Sequence, residues 1–259
     1  MASFVSVVRS SAAVVLLALA SSSTVLADSL TEPCRVADEY LGLAGKLDRA
    51  AARLKDRDPF RILVVGSSST AGVGATSPAK AYTERLEEEL EHRLAGVEVD
   101  VVARGVGGET AIGAEARLAK ELGATKPDLV IWQIGTNDVY RKVDLSTFRA
   151  TAERGLRDIA AAGVDAALLD PQYVPQDEAL YAPYVGALEQ LSVATGVPLA
   201  RRFAAMRAVA KAGGGGVISR DRLHMNDTGH ACVGAFLAEA LDRKLAPTPP
   251  AIAEAHRPT

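Results

Sequence analysis

The sequence contains few of the residues that mark several common functions. Its 259 residues include two cysteines and four histidines, and no cluster of histidine, cysteine or aspartate has the spacing of a metal site. The formal net charge is −3 and basic residues are scattered among acidic ones, so the chain has no basic stripe for nucleic acid. We therefore expect no metal, no other cofactor and no nucleic-acid partner. With 48% hydrophobic residues, the length fits one globular domain with a sizeable core.

Long apolar runs are also missing, and the N-terminal one is too short to span a membrane. The run from Ala12 to Ala20 (AAVVLLALA) falls well below the roughly 20 residues that a spanning helix needs. Arg9 precedes this run and the stretch SSSTVLA follows it, which is the layout of a secretory signal peptide. We predict a signal peptide over residues 1–27, cleaved after about Ala27. The protein is then periplasmic or secreted, without a stable membrane anchor.

A phosphate-binding loop is absent as well, although one stretch has its outline. GSSSTAGVGAT, which begins at Gly66, follows the apolar run RILVV. A phosphate loop ends in Gly-Lys-Ser/Thr, whereas Val73 follows Gly72 here and the nearest lysine is Lys80. The dinucleotide pattern G-x-G-x-x-G is missing, and Thr70 replaces the second glycine of the hydrolase pattern G-x-S-x-G. What remains is a serine on a turn between a strand and a helix.

The main pattern that is present is an alternation of short apolar runs with helical spacing. The runs RILVVG, VEVDVVA, PDLVIWQIG and DAALLD are apolar on both faces, which is typical of parallel strands covered by helices on both sides. The alternation predicts a three-layer α/β/α domain with a mostly parallel sheet of about five strands. Helical spacing predicts helices over Ala37 to Asp58, Tyr82 to Leu94, Leu180 to Ala194 and Val233 to Leu245, with Asp227 or Thr228 capping the last.

These patterns divide the chain into four parts. After the signal peptide come an N-terminal helical segment (28–58), the α/β domain (59–245), which contains the flexible connector GGGG, and a flexible tail (246–259). Cys34 and Cys232 lie near the two ends of the mature chain. In an oxidising compartment they could form a disulfide that ties the N-terminal segment to the last helix, and two buried thiols are the alternative.

The polar residues directly after the apolar runs are the candidates for a site, because ligands of open α/β sheets bind beyond the carboxyl ends of the strands. The first run leads into the serines. The second leads into RGVGGET, in which Gly107 and Gly108 either expose N–H groups or only form a turn before a helix. The third leads into GTND, in which Asn137 is either a helix cap or turn residue or a donor to an oxyanion.

A nucleophilic serine needs a base within hydrogen-bond reach, and the four histidines make that search short. His92 lies on a charged helical stretch, His256 lies in the tail, and His230 opens the last predicted helix. His224 follows Asp221 by three residues in DRLH, a spacing that one tight turn can close into a carboxylate-to-imidazole hydrogen bond. A surface turn without chemistry is the other interpretation of this pair.

The order of these motifs along the chain resembles the SGNH hydrolase superfamily, also called GDSL-type lipases and esterases. The resemblance rests on GSSSTAG, the glycine loop, GTND and DRLHMNDTGH, and it spans about Arg61 to Leu245. It implies a flavodoxin-like SGNH hydrolase domain over residues 59–245 that needs no cofactor. It also implies a nucleophile, Ser68, a base, His224, and an orienting carboxylate, Asp221. The implied oxyanion donors are the N–H groups of Ser68 and Gly108 and the side-chain amide of Asn137.

The nucleophile turn departs from the family pattern at two positions. Ser67 stands where the pattern has aspartate, and Ser69 stands where it has leucine. The three consecutive serines leave open which one is the nucleophile. Gly107 likewise competes with Gly108 as the oxyanion donor.

The resemblance implies a secreted serine esterase that works through an acyl-enzyme. Few aromatic residues (5%) and no long apolar lid suggest short acyl groups, such as O-acetyl groups on saccharides, so the expected partner is a small-molecule or glycan ester. The alternatives are thioesterase or lysophospholipase activity, and a catalytically inactive binding protein on the same scaffold. Tyr173, in the loop PQYVPQ after the fourth run, is a candidate substrate contact. No feature of the sequence indicates an oligomeric state.

Overall fold

A five-stranded, all-parallel sheet lies at the centre of the structure, in the strand order β2-β1-β3-β4-β5. The computed structural model describes residues 30, 32–56, 59–94, 96–213 and 216–245. The predicted signal peptide and tail, and the middle of the glycine connector, lie outside the described residues. The strands are β1 (Phe60–Gly66), β2 (Val99–Gly105), β3 (Leu129–Gln133), β4 (Asp165–Leu169) and β5 (Leu199–Ala200).

Eight α-helices occur in the described part of the chain. They are α1 (Asp48–Asp56), α2 (Tyr82–Arg93), α3 (Ala111–Thr125), α4 (Thr136–Tyr140), α5 (Leu145–Ala161), α6 (Glu178–Thr195), α7 (Arg202–Lys211) and α8 (Asp227–Leu245). Short 3-10 turns lie at Asp38–Tyr40, Pro78–Lys80 and Pro175–Asp177.

The central strand β1 is buried on both faces. Ile62 and Val64 belong to a hydrophobic cluster with the apolar faces of α2 and α8, whereas Leu63 and Val65 belong to a second cluster with α3 and α5. Successive side chains of a strand point to opposite faces, and burying each such side chain contributes about 1.5–3 kcal/mol. Helices therefore cover both faces of the sheet, and the predicted three-layer α/β fold with about five parallel strands is confirmed.

The N-terminal segment is less helical than its leucine spacing predicts. In place of one helix over Ala37 to Asp58, it forms the 3-10 turn Asp38–Tyr40, a loop, and α1. Gly42 and Gly45 lie in that loop, and each costs a helix about 1 kcal/mol relative to alanine. The side chains of Leu41 and Leu43 are buried although their backbone is not helical, so their spacing reflects burial and not a helix.

The start of α8 differs from the expected cap by one residue. Asn226 Oδ1 accepts the N–H of Gly229 at 3.0 Å, so Asn226 caps the helix in place of Asp227 or Thr228. Asp227 instead accepts hydrogen bonds from the Thr76 N–H at 2.7 Å and from Lys80 Nζ at 2.6 Å. The first turn of α8 is thereby joined to the loop that follows β1.

A disulfide joins Cys34 to Cys232, with 2.01 Å between the two Sγ atoms and a sequence separation of 198. Both cysteines are buried, and Cys232 lies in the second turn of α8. The bond therefore ties the N-terminal segment to the helix that follows the DRLH motif.

Replacing both cysteines by serine should lower the free energy of unfolding by up to about 5 kcal/mol, because the disulfide restricts a very long loop of the unfolded chain. Urea denaturation without reductant measures the difference. Reductant should reproduce most of the loss in the wild type and leave the double variant unchanged. If both cysteines of the denatured, unreduced wild type react with an alkylating reagent, the disulfide is absent and the prediction is wrong.

Candidate active site

Three loops meet at the carboxyl edge of the sheet, because β2, β1 and β3 are neighbours in it. The loop after β1 carries the three serines, the loop after β2 carries Gly107 and Gly108, and Asn137 lies on α4 directly after β3. The sequence places these motifs far apart, and the parallel topology brings them to one edge.

The serine turn presents its three hydroxyl groups in different environments. Its N–H groups bond back to the turn itself, Ala71 N–H to Ser67 O at 3.0 Å and Val73 N–H to Ser68 O at 2.9 Å. Ser67 and Ser69 are each only 4% exposed, whereas Ser68 is half-buried. Of the three serines, Ser68 is therefore the one whose side chain a substrate can reach.

Ser68, His224 and Asp221 form a chain of hydrogen bonds. The distance between Ser68 Oγ and His224 Nε2 is 3.0 Å, and that between His224 Nδ1 and Asp221 Oδ2 is 2.6 Å. A proton on Nδ1 that is donated to the carboxylate leaves the Nε2 lone pair free to accept the Ser68 hydroxyl. The side chain of Asp221 is 50% exposed and that of His224 is 19% exposed, so the pair lies at the surface of the site.

The turn that carries this pair is held by its own backbone and by the loop after β4. Asp221 Oδ1 accepts the N–H groups of Leu223 and His224, both at 3.0 Å. Two glutamine amides from the segment after β4 donate to carbonyls of the turn. Gln172 Nε2 donates to Leu223 O, and Gln176 Nε2 donates to Arg222 O at 2.8 Å. The sequence motif identifies the pair but not these supports.

Burial acts to raise the pKa of Asp221, but hydrogen bonds from the His224 ring and from the N–H groups of Leu223 and His224 lower it below its ordinary value. The carboxylate therefore stays ionised beside the imidazole across the neutral range. An ionised carboxylate at Nδ1 would stabilise an imidazolium on His224.

Gly74 lies where the serine turn meets the histidine turn. A Cβ atom at this position would lie 2.0 Å from Met225 O and 3.1 Å from His224 Cβ, and its φ of +98° is in the left-handed region. Any side chain would push the two turns apart. The glycine thus permits the approach that sets the distance between Ser68 and His224.

Three candidate hydrogen-bond donors lie on the segments that follow β1, β2 and β3. The N–H groups of Ser68 and Gly108 have no acceptor within the described part of the chain. Asn137 Nδ2 donates to Glu109 O at 2.9 Å, which uses one of its two hydrogens and leaves the second for a ligand. Gly108 has a φ of +74°, and its carbonyl accepts Arg141 Nε at 3.1 Å, which fixes the peptide.

Gly107 lacks both features that distinguish Gly108, the left-handed backbone and the bond to the arginine. Asp138, the last residue of GTND, is fully buried. Its carboxylate accepts the N–H of Ala111 at 3.0 Å and that of Gly135 at 3.2 Å. It therefore joins the loop after β3 to the start of α3, and burial raises its pKa despite these bonds.

Two other residues singled out in the sequence are buried. The ring of Tyr173 is 5% exposed and packs edge-on against Phe203, with 5.4 Å between the ring centroids; its contact with a substrate stays a prediction. His230 is fully buried in α8; its Nδ1 accepts the N–H of Tyr82 and its Nε2 donates to Val73 O, both at 3.1 Å. Burial lowers the pKa of His230, so it stays neutral and braces the serine loop.

Within the described residues, no group of three or more histidine, cysteine, aspartate or glutamate side chains is arranged to hold a metal ion. None of the described helices combines the length and apolar character needed to cross a membrane.

Solved structures of several hydrolases resemble this one, whereas no curated protein matches the sequence. A two-domain esterase active on acetylated mannans has a TM-score of 0.66 at 22% identity, over 85% of this chain and 60% of that one. A lipase/acylhydrolase from Enterococcus faecalis has a TM-score of 0.61 at 24% identity, over 73% and 99%. An acetyl xylan esterase has a TM-score of 0.62 at 20% identity, over 70% and 100%.

The two-domain esterase has also been crystallised with mannopentaose, and that structure has a TM-score of 0.65 at 23% identity, over 80% of this chain and 57% of that one. The present chain spans about three fifths of its length. At these identities the likeness shows a shared SGNH hydrolase fold.

The model of the Non-GDSL lipase-like family matches residues 33–247, which include both cysteines and the whole site. The chain belongs to the Non-GDSL lipase-like family, a lipase- and esterase-like group with the SGNH hydrolase fold.

Proposed function

We propose that the protein is a serine esterase in which Ser68 is the nucleophile, His224 the general base and Asp221 the carboxylate that orients it. The observation that carries this proposal is the pair of contacts, 3.0 Å from Ser68 Oγ to His224 Nε2 and 2.6 Å from Nδ1 to Asp221. Both distances lie within the range that proton transfer between nucleophile and base requires. An inactive binding protein would have no need of this alignment.

The reaction proceeds by two acyl transfers. Ser68 Oγ attacks the ester carbonyl carbon while its proton passes to His224 Nε2, and the carbonyl oxygen becomes an oxyanion. His224 then gives the proton to the departing alcohol oxygen, which leaves the acyl group on Ser68. A water molecule then attacks the acyl carbon while His224 takes its proton. The bond from the acyl carbon to Ser68 Oγ breaks, Oγ regains a proton from His224, and the carboxylic acid leaves. Asp221 remains ionised throughout.

The oxyanion is stabilised by the N–H groups of Ser68 and Gly108 and by the amide of Asn137. Two observations support this assignment. The two N–H groups have no acceptor in the described structure, and one of the two amide hydrogens of Asn137 is not used by Glu109. Donors that are fixed before the reaction need no reorganisation when charge develops on the oxygen. The bonds of Gly108 to Arg141 and of Asn137 to Glu109 supply that fixation.

The substrate is an ester of a short acyl group, with O-acetyl groups on saccharides as the first choice. Solved relatives act on acetylated mannans and acetylated xylan, which favours this class. An open cleft of about 530 Å³ lies beside the histidine turn, lined by Pro175, Gln176, Ile218, Ser219 and Arg222. Its amide, hydroxyl and guanidinium groups suit the hydroxyl groups of a sugar.

The site of action is outside the cytoplasm, either periplasmic or secreted. A disulfide between buried cysteines persists in an oxidising compartment, which agrees with the predicted signal peptide.

Ser68→Ala and His224→Ala should each lower kcat for a short-chain aryl ester by a factor on the order of 10⁴ to 10⁶, because both residues carry the covalent step. Ser67→Ala and Ser69→Ala are the matched controls and should keep activity within about tenfold of the wild type. A fluorophosphonate should label Ser68 alone, which peptide mapping detects. A label on Ser67 or Ser69 would refute the assignment.

Asn137→Ala should lower kcat by roughly 100- to 1000-fold with little change in KM, because the lost donor acts on the oxyanion and less on the bound ester. Asn137→Asp keeps the size of the side chain but lacks the N–H donors, so it should lose a similar factor. Steady-state kinetics on the same aryl ester measures both. Activity within threefold of the wild type in either variant would remove Asn137 from the oxyanion site.

Aryl esters of increasing acyl length, tested beside acetylated mannan and xylan, should give the highest kcat/KM for acetyl or propionyl esters and release acetate from the glycans. Long-chain acyl thioesters and lysophospholipids are the comparison substrates. Higher kcat/KM on either of these would assign the protein to thioesterase or lysophospholipase chemistry with the same triad.

A further inference from the structure

The side chain of a glutamine at the end of β3, Gln133, contacts the serine turn. Gln133 is 2% exposed, and its side-chain oxygen, Oε1, lies within hydrogen-bond distance of four donors on the turn. These are the N–H of Ser67 at 2.9 Å, the Ser67 hydroxyl at 3.2 Å, the Thr70 hydroxyl at 3.3 Å and the Ser69 hydroxyl at 3.4 Å. A single acceptor thus contacts the residues on both sides of Ser68.

The space for this contact comes from Gly66. A Cβ atom there would lie 2.6 Å from Gln133 Oε1 and 2.2 Å from Thr70 Oγ1. Since no side chain fills that position, the glutamine reaches the underside of the turn.

The contacts continue into a buried polar cluster. The Thr70 hydroxyl lies 2.7 Å from the hydroxyl of Tyr82, and the Ser69 hydroxyl accepts Arg202 Nη1 at 3.4 Å. Arg202 is 2% exposed and also donates to the carbonyl of Asp170 at 2.7 Å. Buried polar groups of this kind hold their neighbours in one geometry, because each loses a partner if the turn shifts.

The position of Gln133 in the chain links both halves of the catalytic site. It ends β3, and Asn137 follows four residues later on α4. The same strand therefore supplies the acceptor that fixes the turn of Ser68 and leads into the residue proposed to bind the oxyanion.

We infer that Gln133 is a positioning residue: its Oε1 fixes the serine turn so that the Ser68 hydroxyl faces His224 and the Ser68 N–H faces the oxyanion. This inference rests on the proposed esterase function. It also accounts for Ser67, whose N–H and hydroxyl both end on Gln133, so that a neutral pair of side chains occupies the place beside the nucleophile.

The first test is Gln133→Met, which keeps the length of the side chain but removes the acceptor. A displacement of the reacting atoms by about 1 Å can cost roughly 100-fold in rate, so kcat should fall by about that factor while KM stays within about threefold. Gln133→Glu restores an oxygen acceptor at the same length and should recover kcat to within about tenfold of the wild type. The rate of fluorophosphonate labelling of Ser68 should follow kcat across the series.

The matched control is Ile131→Ala, two residues earlier on the same strand. Ile131 is fully buried and apolar, so its truncation lowers stability without removing a hydrogen bond from the turn. Thermal unfolding ranks the variants by stability, and Ile131→Ala should keep kcat within about threefold. If Gln133→Met loses no more kcat than this control does, the positioning role is wrong.

Should Gln133→Met fail to fold, Gln133→Asn decides the question, because it withdraws the acceptor by one methylene and stays polar. A lower kcat for Gln133→Asn than for Gln133→Glu supports the role, and equal values overturn it. Failure of the proposed function itself has a different signature, since the wild type would then neither hydrolyse the ester nor react with the fluorophosphonate.

Discussion

The site depends on one long-range contact, because Ser68 and His224 lie 156 residues apart in sequence and must meet within 3.0 Å. Helix α8 brings the two together. Asp227 in its first turn binds Lys80 beyond the serine loop, and His230 one turn later donates to the carbonyl of Val73 within that loop. The disulfide anchors the same helix to the N-terminal segment. Packing, polar contacts and a covalent bond thus act on a single element whose position sets the distance between His224 and Ser68.

The two carboxylates of the site, Asp221 and Asp138, differ in burial and therefore in role. Asp221 is half exposed, and its hydrogen bonds, above all the one from His224, outweigh burial and hold its pKa down, so it keeps the charge that an imidazolium needs. Asp138 is fully buried, and burial raises its pKa although Ala111 and Gly135 donate to it. Its role is therefore to fix backbone, not to take part in proton transfer.

The fold was predictable where burial leaves a periodic pattern. Four strands could be predicted from apolar runs because both faces of the sheet are covered, and α2 and α8 could be predicted from their leucines. Strand β5 could not be predicted, because it has two residues and forms no apolar run. The leucines at 41–47 wrongly predicted a helix, because a loop can bury apolar side chains as well as a helix can. The spacing of apolar residues therefore indicates which side chains are buried, and it indicates secondary structure only where that burial follows a helix or a strand.

The proposed catalytic residues leave a clearer signal in the sequence than the residues that hold them in place. Histidine is scarce in this chain, and the motif DRLH places Asp221 three residues before His224, a spacing that one turn can close. Gln133 and Gln172 carry no such signal, since glutamine is common on surfaces and its partners here are distant in sequence. The choice among three serines depends on these supports: the buried neighbours of Ser68 are bound to Gln133, and Ser68 alone meets the base. The three hydroxyl groups thus differ in the partner that each one finds, and only the folded chain determines those partners.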